Sequence, residues 1–134
     1  MNTQSTLLKT EQKLYMFNLK DIAKEIRQRL KKEFPKCKFS ITIDRYSGGQ
    51  SMSINLMSAN FAAFNDDKDH AQINHYSIGN SDLTDQAKTV MQRAYDMSGE
   101  YNYNNSDSSV DYFDVNFYTH LNVGKWDKPF VITA

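Results

Sequence analysis

Lys20, Lys24, Arg27 and Lys31 are the residues of this chain whose type and spacing speak most directly of chemistry. At ~100° per helical residue the four fall within about 60° of one another, roughly 100° from the centre of the helix's apolar stripe. A ridge of this kind can neutralise phosphates or meet an acidic protein surface, and it is equally an ordinary solvated helix face. Tyr112, Tyr118 and His120 form a second set, on the polar side of an alternating stretch near the C-terminus. Their flat bodies and polar tips suit contact with another macromolecule, as they suit a solvated sheet face.

The remaining candidates read as structure. Asp107, Asp111 and Asp114, with Asn102, Asn104 and Asn105 nearby, lack the central Gly and terminal Glu of an EF-hand, and such residues serve turns. His70 and His75 offer no standard ligand spacing; zinc with Asp66 or Asp69 is conceivable but unsupported, and exposed or half-buried histidine is the reading adopted. There is no GxSxG elbow and no phosphate-cradling glycine loop before a helix. Cys37 stands where a helix hands over to a strand and reads as a small buried apolar residue. No catalytic residue, metal or cofactor is assigned, and the chain is expected not to be an enzyme.

These side chains need elements to position them. In NLKDIAKEIRQRLKKEFP, Leu19, Ile22, Ala23, Ile26, Leu30 and Phe34 recur at helical intervals, with Asn18 as N-cap, Asp21 at the third helical position and Pro35 as stop. CKFSITIDRY and SMSINLM alternate as two half-buried strands, and Gly48-Gly49 between them permits the positive φ of a tight hairpin. QINHYSI is expected to be a short strand. DLTDQAKTVMQRAYDMSG predicts a second helix burying Leu83, Ala87, Val90, Met91 and Ala94, with Asp82 as cap and Gly99 as stop. VDYFDVNFYTHLNV predicts the longest strand, central in a sheet, with Phe113, Val115, Phe117, Thr119, Leu121 and Val123 on one face. Trp126 is expected to anchor the last segment, WDKPFVI, against the core, and Pro129 makes that segment an edge.

The reading is α+β: an antiparallel sheet of three to five strands with two helices on one face. Residues 1–17 are expected to be a flexible leader and 18–134 a single domain. At 134 residues, 40% apolar and 24% charged, the chain can bury one core unaided. One cysteine excludes an intramolecular disulfide, and no signal peptide or membrane span is legible, so a cytoplasmic protein is expected. Zero net charge hides a split: residues 1–38 carry ten Lys/Arg against four Asp/Glu, and the remainder six against twelve. The acidic aromatic half would repel a phosphate backbone, which weighs against nucleic acid as the main ligand.

The run DIAKEIRQRLKKEFPKCKFSITIDRYSGGQSMSI resembles the opening of the large-polyvalent-protein-associated domain family, type 29: a basic helix ending near Phe-Pro, a strand, a Ser-Gly turn and a second strand. NYNNSDSSVDYFDVNFY and VGKWDKPF are similar to its closing segments, so the likeness extends over 19–132, with LMSANFAAF the least conforming stretch. The resemblance implies a domain standing alone in a phage, plasmid or conjugative element, with no catalytic residues to carry over. It further implies a non-catalytic inhibitor of a host defence effector such as a CRISPR-Cas complex. The partner would be a host protein or ribonucleoprotein. The alternative is a nucleic-acid-binding module in element replication or transfer.

Overall fold

The computed structural model describes residues 18–47, 49–102 and 117–133. The expected leader, Gly48, Tyr112, the Asp/Asn-rich loop and the first half of the long expected strand lie outside the described residues. Helix α1 spans Leu19–Glu33 and begins as its sequence requires: Asn18 Oδ1 accepts from the Asp21 amide at 2.9 Å. This cap satisfies one of the amides left open at a helix start. The apolar stripe is complete, with Leu19, Ile22, Ala23, Ile26 and Leu30 all buried.

Strands β1 (Lys38–Tyr46) and β2 (Gly49–Ala59) form the expected antiparallel hairpin, with Tyr46 opposite Gly49. Gly49 is therefore a strand residue, and its φ is not positive. What it supplies is room: a Cβ there would stand 3.1 Å from the Tyr46 ring. QINHYSI contributes only a short strand, β3 (Ala71–Ile73), before a turn and a 3₁₀ segment at Ile78–Asn80. Helix α2 runs Asp85–Asn102. It buries Leu83 just ahead of it and Ala87, Val90, Met91 and Ala94 along it, as the spacing predicted.

The ends of α2 differ from expectation. Thr84, not Asp82, is the cap: its Oγ1 accepts from the Ala87 amide at 3.3 Å and donates to the Ala62 carbonyl at 2.7 Å. Asp82 instead meets Lys68 at 3.3 Å. Gly99 does not stop the helix, which continues for three residues past it. A glycine ends a helix only where the backbone turns left-handed, and Gly99 has no positive φ.

Strand β4 (Tyr118–Val123) takes up the described part of the long expected strand apart from Phe117, which precedes it, and β5 (Val131–Ile132) is a two-residue edge. The sheet order is β1-β2-β4-β3, with β5 alongside the end of β2. β4 is thus internal, as predicted. The fold is α+β with an open, mostly antiparallel sheet, but β2 runs parallel to both β4 and β5. Register stacks one apolar residue from each main strand in a row, Ile41, Ile54, Leu121 and Ile73, all buried beneath the helices. Each side chain of that size contributes about 1.5–3 kcal/mol on burial.

The two helices meet along a charged seam. Arg29 donates to both carboxylate oxygens of Glu100 at 3.1 and 3.3 Å, and Arg93 Nε lies 3.0 Å from both oxygens of Glu33. The Glu100 hydrogen bond raises the Arg29 pKa, on a guanidinium that is charged at any ordinary pH. These are partly exposed pairs worth a few tenths of a kcal/mol each, and their role is to orient α1 on α2. Among the described residues no helix is long and apolar enough to cross a membrane.

Candidate functional site

Strand alternation sends every second residue away from the helices. On that side the register assembles Ser40, Asn55, Asn122 and Gln72 into one row across β1, β2, β4 and β3. The adjacent row is Thr42, Ser53 and His120, and the next is Asp44, Ser51 and Tyr118. None of the described elements covers this face.

Its centre is rigid. Asn55 is only 2% exposed although it points away from the core; its Nδ2 donates to the Ser40 carbonyl at 2.8 Å. The Asn55 Oδ1 accepts from Asn122 Nδ2 at 2.9 Å, tying the parallel pair β2–β4 side chain to side chain. A buried amide without partners would cost about 1–3 kcal/mol, so the pair holds one arrangement.

Rings stand at both ends. Tyr118 is 66% exposed beside the Asp44–Ser51 row, and Tyr46 lies across Gly49 at the hairpin. At the other end Trp126 is 82% exposed. It does not anchor the C-terminal segment, and the backbone gives the reason. Gly124 takes φ +68°, ending β4 with its amide on the Leu56 carbonyl. Lys125 and Lys128 then exchange backbone hydrogen bonds of 2.9 and 3.1 Å, closing a turn with Trp126 and Asp127 at its tip. Partly buried Phe130 packs against the core where Trp126 was expected. Between this turn and the amide row lies a cleft of about 370 Å³, bounded by Thr42, Ser53, Asn55, Asn122, Gln72 and Trp126. His70 stands at its rim, with Nδ1 2.8 Å from Asp69.

The residues singled out in the sequence therefore divide. Tyr118 and His120 are exposed on the open face, while Tyr112 lies outside the described residues. Lys20, Lys24, Arg27 and Lys31 are exposed on α1, in the helical layer on the other side of the sheet. Arg27 Nη2 reaches the Ile41 carbonyl at 3.1 Å, which places the ridge along the β1 edge. The two sets make separate surfaces. Sequence reasoning missed Asn55, Asn122, Gln72 and Trp126. The bracketing of KWDK by Gly124 and Pro129 was the available signal for a turn that presents Trp126.

Fold and site together define a two-layer α+β domain, helices on one side of the sheet and a polar, ring-flanked face on the other. The chain belongs to the large polyvalent protein associated domain 29 family, whose profile matches residues 17–117. That membership makes it a polyvalent-protein-associated domain of mobile and phage-type elements. The matched segment takes in α1, the hairpin, β3 and α2 and ends at Phe117, so β4 and the Trp126 turn lie beyond it. None of the curated proteins or solved structures compared with the chain matches it.

Proposed function

We propose that this protein is a non-catalytic binder that docks on a host defence effector, such as a CRISPR-Cas complex, and inhibits it by occupancy. The sheet face that no described element covers carries the reading: a fixed Asn55–Asn122 centre between exposed Tyr118 and Trp126. Tyr and Trp lose little conformational freedom on binding, and they dominate the energetic centres of protein interfaces. The rows of hydroxyls and amides supply the hydrogen bonds that set orientation.

Titration of the host's effector with purified protein tests the proposal. Inhibition should saturate near one protein per effector. Replacing Tyr118 and Trp126 together by alanine should weaken it about 30-fold or more, the equivalent of about 2 kcal/mol. A folded double variant that inhibits as well as the parent would remove the sheet face from the reading. An effector untouched by excess protein would remove the inhibition itself.

A further inference from the structure

The basic ridge of α1 does not end with the helix. Arg27 and Lys31 line one part of a groove of about 510 Å³, and Lys36, in the turn before β1, and Lys38, its first residue, complete the positive lining. Phe39 and Pro35 give the groove an apolar floor. Lys20 and Lys24 prolong the row along the helix, so that Lys20 to Lys31 alone extends about 16 Å at the helical rise.

On the α2 side of α1, Arg29 pairs with Glu100 and Glu33 with Arg93. Among the described residues, no ion pair within 4 Å engages Lys20, Lys24, Lys31, Lys36 or Lys38. The helix's other acids, Asp21 and Glu25, lie about 110° around the axis from the ridge. Arg27 is held at the β1 edge by its bond to Ile41, which fixes one cation where the ridge enters the groove.

We propose that this ridge and groove bind a single-stranded nucleic-acid backbone, phosphates on the cations and a base over the Phe39–Pro35 floor. Cations strung in line match a linear polymer of regular charge, and a positive groove with a ring in it is the usual equipment of single-strand binders. The site is separate from the sheet face and does not depend on the role argued for that face.

Fluorescence anisotropy with labelled single-stranded RNA and DNA of about 16 nucleotides tests this, the two arms separating the sources of the backbone. Six phosphate contacts, one for each cation of the ridge and groove, give a log–log salt slope of about −4.2, a roughly 300-fold affinity loss between about 50 and 200 mM salt. Lys31→Gln, Lys36→Gln and Lys38→Gln together should flatten the slope to about −2.1. A charge-matched control, Lys88→Gln, Lys125→Gln and Lys128→Gln, should leave it unchanged. Both variants are checked for folding by circular dichroism. No anisotropy change at low salt with either polymer would overturn the proposal. So would equal loss in both variants, or stronger binding of polyglutamate than of either nucleic acid, which would make the groove a site for acidic protein.

Discussion

Removing the Asn55 side chain should loosen the open face more than its surface position implies. Asn55→Ala deletes two hydrogen bonds, to the Ser40 carbonyl and from Asn122, at a residue only 2% exposed. At about 1 kcal/mol per bond, with a further fraction for the stranded Ser40 carbonyl, the loss is about 2–3 kcal/mol. A domain of this size loses roughly 4 °C per kcal/mol, so the melting temperature should fall by roughly 10 °C. Asn122 is only half-buried and its freed amide can rehydrate. Asn122→Ala, by contrast, strands the buried Asn55 oxygen and should cost about 1–2 kcal/mol. The double variant should cost little more than Asn55→Ala alone, a coupling of about 1 kcal/mol. Urea unfolding of all four proteins measures it. Coupling near zero, or an Asn55→Ala loss under about 0.5 kcal/mol, would refute the claim that this amide pair clamps β2 to β4.

Trp126→Ala should change unfolding free energy by no more than about 0.5 kcal/mol, because the ring is 82% exposed; a core anchor would lose ~3–5 kcal/mol. Gly124→Ala should destabilise the domain severely in thermal melts, since φ +68° alone costs a side-chain residue about 1–2 kcal/mol, and its Cβ would stand 2.5 Å from the Asp69 carbonyl oxygen. Asn18→Ala should cost about 1 kcal/mol through the lost cap on α1, read by urea denaturation. Burial pushes the Cys37 thiol pKa up, so alkylation should need a higher pH in the folded protein than in the urea-unfolded chain. The protonated thiol therefore favours the folded state, a contribution that is whole below the unfolded thiol's pKa and is lost as pH rises through the folded one. Cys37→Ser should blunt that alkaline decline, measured as melting temperature against pH.

Much of the fold is local and was therefore legible. Residues 19–33 must be helical because their apolar side chains recur every three or four positions behind an Asn cap, whatever they pack on. The hairpin follows from two alternating runs that can bury one face each only by pairing. Tyr118 and His120 were placed correctly on the polar side because alternation alone decides which way a strand residue points. Helix ends were less legible: several polar residues near residue 84 can cap, and the contact of Thr84 with Ala62 decides among them.

The sequence by itself determined which side chains are apolar at which period, and hence the elements and the side each one buries. Only the tertiary structure decided that β4 enters beside β2 in parallel, and that choice creates the site. It brings Asn55 and Asn122, 67 residues apart, within hydrogen-bonding distance and lines them up with Ser40 and Gln72. Register between distant strands depends on how the whole core closes, and no local period encodes it. Trp126 shows the same division: its ring reads as core, but a left-handed glycine and a backbone-closed turn hold it out in solvent.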